Sequence, residues 1–365
     1  MEYDFLIVGA GLFGSVFARE VTDKGYRCLV IDRRDHIGGN CYTERVDGID
    51  VHKYGPHIFH TSSEKIWNYV NRFAEFEPYE HNIIANYKGS LYNLPFNMNT
   101  FKQLFGTEDV DEVKRIIESE RFKGTPTNLE EQALSMVGET VYRTLIYGYT
   151  KKQWATEPKN LPKSIITRLP VRFTFDNNYF NDTYQGIPKE GYTKMFENLL
   201  DGIDVLLDFD YFYDREKLDK MAKRVLYTGP IDKFYDYHYG ELDYRSLKFE
   251  HHTLQQKTYQ GCSQMNFTEA LIKHTRIIEH KFFKANPGGK TTIVTKEFPA
   301  NYKDTGDPFY PINNDQNMLV LSQYKQIKNP KYLFGGRLAE YRYYDMDQTV
   351  GASLTKAEKL SSEVY

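Results

Sequence analysis

Apolar residues run without a break through positions 5–8 and then stop at Gly9-Ala10-Gly11-Leu12-Phe13-Gly14. Such a run reads as a strand buried on both faces. The segment Leu12–Asp23 reads as a helix and Cys28–Ile31 as a second buried strand, so the chain opens on a strand–helix–strand unit. Thr61-Ser62-Ser63-Glu64 has capping-box spacing, and Ile66, Tyr69, Val70 and Phe73 follow at helical intervals. Positions 83–94 have strand character. Helical patterning returns over about 109–148, where Asn128 with Glu131 predicts a cap and Ala133, Val137, Val141 and Leu145 mark one face. After about 165 the pattern changes to short strands and turns, with 225–228 running into Gly229-Pro230. From about 244 to 298, alternation such as Leu247 and Phe249 against Lys248 and Glu250 predicts half-buried strands. Tyr332–Phe334, then Gly335-Gly336-Arg337, then a helix from about Asp345 return the chain to α/β character. No repeat, low-complexity tract or proline-rich linker separates these stretches, so interleaved domains are expected.

Composition narrows the class. A length of 365 residues implies two or three packed domains. Lys+Arg 47 against Asp+Glu 50 leaves a net charge of −3, which excludes a binder resting on a broad positive surface for nucleic acid. No apolar run approaches the roughly 18–20 residues that span a bilayer, so no membrane span is expected. The opening MEYDFLIVGAG predicts no signal peptide. Cys28, Cys41 and Cys262 lack CxxC spacing, which predicts neither a disulfide framework nor a zinc site. A cytoplasmic location is the resulting expectation. Aromatics reach 15%, led by 30 tyrosines, and a tyrosine can stack on a sugar or base while hydrogen-bonding it.

Gly9-x-Gly11-x-x-Gly14 gains meaning from the strand before it and the helix after it. The first glycine permits a tight turn, the second lets a pyrophosphate approach the backbone, and the third lets helix and strand pack closely. Asp32, at the end of the second strand, suits an adenosine ribose. Arg33 and Arg34 would favour NADP if they met a 2′-phosphate. Gly38-Gly39-Asn40 and the late Gly335-Gly336-Arg337 supply two further close backbone approaches, and three such segments fit the longer FAD. With a single dinucleotide fingerprint, no second Rossmann unit is expected for a reductant. His57-x-x-His60 has metal-ligand spacing, but no third ligand accompanies it, so no metal is expected.

Several blocks carry a family likeness. They are His52-Lys53-Tyr54-Gly55-Pro56-His57-Ile58-Phe59-His60-Thr61, Tyr92-Asn93-Leu94-Pro95-Phe96-Asn97, Gly148-Tyr149-Thr150-Lys151-Lys152-Gln153-Trp154 and Arg168-Leu169-Pro170-Val171-Arg172-Phe173. Tyr179-Phe180, Tyr227-Thr228-Gly229-Pro230, Arg276-Ile277-Ile278-Glu279-His280-Lys281, Tyr310-Pro311 and Tyr341-Arg342-Tyr343-Tyr344-Asp345-Met346-Asp347 continue it in order. With these blocks the chain resembles the bacterial UDP-galactopyranose mutases. That family more often carries Ala where this chain has Pro56, and proline removes an amide donor beside the expected flavin.

The resemblance implies an isomerase that interconverts UDP-galactopyranose and UDP-galactofuranose and supplies galactofuranose for cell-surface glycans. It implies non-covalent FAD, active when reduced by an external reductant such as NAD(P)H, with flavin N5 bonding transiently to the anomeric carbon. The implied fold is α/β: a discontinuous FAD-binding Rossmann-type domain (1–78, about 190–240 and 325–365), an inserted helical domain (about 95–165) and an antiparallel β-sheet domain (about 79–94, 166–189 and 241–324). A mobile loop over about 168–177 and a homodimer are implied as well. An amine-oxidase-like FAD oxidoreductase shares the fingerprint and the late glycines and is the alternative.

Residue roles follow from the same likeness. Arg168 and Arg276 are the pair expected to hold the departing diphosphate, since a guanidinium is always charged and its planar fork matches phosphate oxygens. Arg172, four residues on, is read as structural. His57 or His60 is expected beside the flavin, His60 being favoured. Tyr149 and Trp154 are implied to contact the uridine, Asn82 and Asn266 the nucleotide sugar, and Tyr179, Tyr310 and Tyr343 the diphosphate and flavin. Gly9, Gly11, Phe13, Gly14, Asp32, Gly39, Asn40, Gly336, Arg337, Asp345 and Met346 complete the implied cofactor set.

Overall fold

A computed structural model describes residues 2–167, 169–284 and 288–362. The chain divides into two compact units, one of 1–78, 182–244 and 306–365 and the other of 79–181 and 245–305.

The first unit is built on a five-stranded parallel sheet in the order Asp204–Leu206, Cys28–Ile31, Tyr3–Val8, Ala222–Tyr227, Tyr332–Phe334. Strand periodicity explains the unbroken apolar run at its centre. Phe5 and Ile7 pack on one face with Phe13, Phe17 and Ala357, while Leu6 packs on the other with Tyr211, Leu218 and Phe234. A strand covered on both faces has no polar side to show. Leu12–Asp23 is helical as its pattern predicts, and the Ser353 hydroxyl of the C-terminal helix Met346–Ser362 donates to the Phe13 carbonyl at 2.8 Å. A smaller antiparallel sheet orders Phe59–Thr61, Tyr184–Pro188 and Phe76–Pro78.

The second unit carries a sheet in the order Tyr244–Leu254, Thr292–Asn301, Arg276–Glu279, Gln264–Phe267, Ile83–Tyr87, Ser90–Leu94. Its pairings are antiparallel except that of Gln264–Phe267 with Ile83–Tyr87, which is parallel. Helices Met98–Phe105, Val110–Glu120 and Leu129–Val141 cover Ile83, Ala85 and Leu94, and the predicted face Ala133, Val137, Val141, Leu145 is buried.

The helical patterning over 109–148 resolves into helices Val110–Glu120 and Leu129–Val141, the second capped by Asn128 as predicted; Gly138 at φ +80° kinks it, and the chain continues through a π-helix at Tyr142–Tyr147. Glu120 satisfies the freed amide, accepting from the Thr140 N–H at 2.8 Å. The cap at the start of Glu64–Val70 is Ser63, not Thr61. Helices Tyr192–Leu199, Arg215–Met221 and Asp315–Gln326 lie where only strands and turns were expected.

Candidate functional site

In the first unit the three glycine segments close on one another. Gly9 sits at φ +114°, where a side chain is strained, and a Cβ there would fall 2.0 Å from Thr228 Oγ1. A Cβ on Gly14 would fall 2.0 Å from the Gly9 carbonyl oxygen, one on Gly39 2.9 Å from Gly11 Cα, and one on Gly335 2.2 Å from the Phe13 ring. Gly336 lies against the same ring. Residues from both ends of the chain therefore line one backbone cradle at the carboxyl end of the central strand, the place where open α/β sheets bind dinucleotides. Asp32 ties the second strand to this cradle: its Oδ2 accepts from the Ala10 N–H at 2.8 Å and its Oδ1 from the Arg34 N–H at 2.9 Å.

Arg33 forms an ion pair with Asp307, which also lies 3.7 Å from Arg34. Arg34 donates to Asn40 Oδ1 at 3.1 Å and stacks over Tyr54 at 4.2 Å. The two cations that a 2′-phosphate reading needs are thus engaged by protein groups. The glycine cradle, with Asp32 beside it, has the backbone arrangement of a dinucleotide site.

The histidine block surrounds a turn. His52 is 2% exposed, and its Nδ1 accepts from the His57 N–H at 3.0 Å. Burial, aided by His57, lowers its pKa to about 3. His57 Nδ1 lies 2.9 Å from the Gly55 carbonyl. His60, on strand Phe59–Thr61, places Nδ1 2.7 Å from Asp182 Oδ2. Thr61 donates to Asp347 at 3.1 Å, and burial raises the Asp347 pKa. Arg337 stands 4.8 Å from the Tyr343 ring, which stacks on Tyr310 at 6.1 Å, and donates to the Tyr344 carbonyl at 2.6 Å. Asp345 and Met346 form the start of the C-terminal helix, where the Asp345 carbonyl accepts from the Thr349 N–H at 2.9 Å.

His52 yields a pH prediction. Its folded pKa, about 3, lies below the ordinary 6.5, so between those values the unfolded chain takes up a proton that the folded chain refuses. Stability therefore falls as pH drops through that window. His52→Asn keeps an acceptor for the His57 amide and removes the titration. Urea midpoints at pH 7 and pH 4.5 should fall less for the variant than for the wild type; equal losses would contradict the assignment.

In the second unit, strand register sets Ala85, Asn266, Arg276, Glu297 and Phe249 in one row across the sheet. Arg276 Nε lies 2.8 Å from Glu297 Oε2, and the Glu297 side chain is 1% exposed. The helix Gly148–Trp154, which carries Tyr149 and Trp154, is pinned to this sheet. A Cβ on Gly148 would meet the Thr268 carbonyl at 2.3 Å, and Lys152 Nζ donates to the carbonyls of Phe267 and His274 at 2.6 and 3.0 Å. Burial lowers the Lys152 pKa to about 8. Trp154 and Tyr179 pack at the rim of the helical core, and the Tyr179 N–H donates to the His81 carbonyl at 2.8 Å. Asn82, next along, is exposed, and its Nδ2 reaches the Glu80 carbonyl at 3.3 Å. Arg172 binds the backbone carbonyl of Asn178 and the side chain of Asn181 and reaches the Phe180 carbonyl at 3.3 Å, so it stitches its own loop. Arg168 lies outside the described residues.

Four residues at these places carry no role in the sequence reading: His52, Lys152, Asp182 and Glu297. His52 and Lys152 stand inside quoted motifs, so a signal was present. Glu297 sits in an ordinary strand alternation and Asp182 beside a turn, and only pairing register reveals their partners.

A profile of the family described as "UDP-galactopyranose mutase" matches residues 144–343, and one described as "NAD(P)-binding Rossmann-like domain" matches residues 7–73. A Klebsiella pneumoniae protein named "Probable UDP-galactopyranose mutase" is 42% identical over 99% of this chain and 95% of its own length. An Escherichia coli dTDP-fucopyranose mutase is 40% identical over 97% of each. Among solved structures, a reduced UDP-galactopyranose mutase is similar with TM-score 0.77 at 13% identity, covering 100% of this chain and 94% of that one. A putrescine oxidase bound to putrescine is similar with TM-score 0.57 at 13% identity over 99% of both chains, a likeness of fold alone. Among the described residues, no helix is long and apolar enough to cross a membrane.

Proposed function

The chain belongs to the UDP-galactopyranose mutase family, and from that premise we propose that it interconverts UDP-galactopyranose and UDP-galactofuranose with bound FAD. The observation that carries this reading is Arg276, a guanidinium held on a sheet face by a buried carboxylate. Plain substrate oxidation has no use for such a phosphate-matching group. Isomerisation at the anomeric carbon needs one, because the diphosphate leaves only if its growing charge is met.

FAD, kept reduced by an external reductant such as NAD(P)H, supplies an electron-rich centre for the anomeric carbon. The protein's part is to bind, orient and shield. Gly9, Gly11, Gly14, Gly39 and Gly336 let the pyrophosphate approach the backbone, and Asp32 takes the adenosine ribose. Phe13, Asn40, His57, His60, Arg337, Tyr343, Asp345 and Met346 hold the flavin side. Arg168 and Arg276 grip the substrate diphosphate, with hydroxyls from Tyr179, Tyr310 and Tyr343 adding donors without charge. Tyr149 and Trp154 take the uracil, and Asn82 and Asn266 the sugar. The three-domain division given above, a mobile loop over about 168–177, a homodimer and a cytoplasmic location belong to the same proposal.

The E. coli relative favours a second substrate, dTDP-fucopyranose, which differs in a base methyl, a ribose hydroxyl and the sugar C6. Reduced protein incubated with each nucleotide sugar, and with UDP-N-acetylgalactosamine, should give a furanose peak from UDP-galactopyranose with no net flavin oxidation. A furanose peak from dTDP-fucopyranose alone would transfer the assignment to that sugar, and no furanose from any would refute mutase activity.

A further inference from the structure

We propose that Asp182 is a positioning residue for His60: its carboxylate, braced by Ser62, holds the imidazole in the tautomer with the proton on Nδ1 and the lone pair on Nε2. The assignment rests on the reading of His60 as the histidine that serves flavin and sugar.

Register creates the pair. His60 is cross-strand partner to Gln185, and Asp182 stands just before the strand Tyr184–Pro188, so residues far apart in sequence meet. His60 Nδ1 and Asp182 Oδ2 are 2.7 Å apart, and Ser62 Oγ donates to Oδ1 at 2.8 Å. Gln185 Nε2 donates to the Asp182 carbonyl at 3.0 Å, which anchors the backbone beneath. The side chains are 15% and 29% exposed, so water competes weakly for the bond. A carboxylate has no proton to give, so Nδ1 must donate, and in the neutral ring Nε2 is then the acceptor. The neighbouring carboxylate Asp347 takes the Thr61 hydroxyl at 3.1 Å. An Nε2 lone pair accepts from N–H or O–H, the groups that a reduced flavin and a sugar both present.

Asp182→Asn keeps the volume and changes the donor pattern. An amide that retains the Ser62 bond through its one oxygen turns its NH2 toward Nδ1, which must then accept, and the ring proton moves to Nε2. A tautomer error of this kind is costly where a histidine is worked through one nitrogen. The full-length protein, 15N-labelled at histidine, reports the tautomer directly, with His60→Gln identifying the signals. The expected result is an Nδ1–H ring in the wild type, an Nε2–H ring in Asp182→Asn, and return to Nδ1–H in Asp182→Asn with Ser62→Ala. Turnover of Asp182→Asn should drop about 10- to 100-fold with KM within about twofold. An Nε2–H ring in the wild type overturns the proposal, as does an Asn variant identical to it in tautomer; should that variant fail to fold, the wild-type spectrum still decides. A wild type with the Nδ1–H ring that leaves every nucleotide sugar untouched supports the positioning role and counts against the proposed function alone.

Discussion

Arg276→Ala is expected to lower turnover by about 10²- to 10⁴-fold while the protein keeps its flavin. The magnitude follows from two charge-assisted hydrogen bonds to the departing diphosphate, each worth about 1.5–3 kcal/mol, if both are made mainly in the transition state. The substitution has a second consequence. Glu297, 1% exposed in its side chain, loses the guanidinium 2.8 Å away and becomes a buried charge without that partner. Breaking a buried pair from one side costs about 3–5 kcal/mol of stability. Lost stability alone would imitate lost catalysis, so Arg276→Ala should be compared with Arg276→Met/Glu297→Gln, which removes both charges. The double variant should regain most of the stability by urea titration and none of the turnover. Recovery of turnover along with stability would reduce Arg276 to a structural role.

Gly14→Ala is expected to abolish flavin retention. The added methyl would lie 2.0 Å from the Gly9 carbonyl oxygen, a backbone atom that no rotamer change can move aside. Either the helix Leu12–Asp23 retreats from the strand or the turn at Gly9 opens, and both pull the cradle apart. Purified variant should lose most of its flavin absorbance per protein, since overpacking against a fixed backbone atom costs about 1–3 kcal/mol or more. Gly39→Ala is the companion test, since its methyl, on a residue at φ +54°, would meet the Gly11 backbone at Cα (2.9 Å) and N (3.6 Å) rather than the Gly9 carbonyl. Full flavin content in both variants would show that the cradle does not hold the cofactor.

What the sequence discloses and what it hides divide along the range of the interactions. Tyr3–Val8, Leu12–Asp23 and Cys28–Ile31 are legible because burial on both faces and glycine punctuation are written locally. The helix Asp315–Gln326 is not. Met318 and Leu319 face solvent beside buried Val320 and Leu321, so its apolar run carries no clean helical period. Arg215–Met221 buries only Leu218, too little to mark a face. In Tyr192–Leu199 the buried residues Tyr192, Met195, Phe196 and Leu199 recur at helical spacing, a signal that the sequence does carry. At the sites, glycine spacing announces a nucleotide cradle but not the contact of Gly39 with Gly11 or of Gly335 with Phe13. Motifs single out Arg276 and His60, whereas Glu297 and Asp182 are meaningful only once strands pair.

The Gly335–Phe13 contact also has a temporal side. Synthesis delivers the fingerprint well before its covering segment, so the nascent polypeptide presents Phe13 before Gly335 exists to pack on it. The parallel sheet is likewise incomplete until Tyr332–Phe334 has left the ribosome. On the proposed function, flavin capture therefore waits for Gly335, and a chain cut short before that residue is expected to purify without flavin.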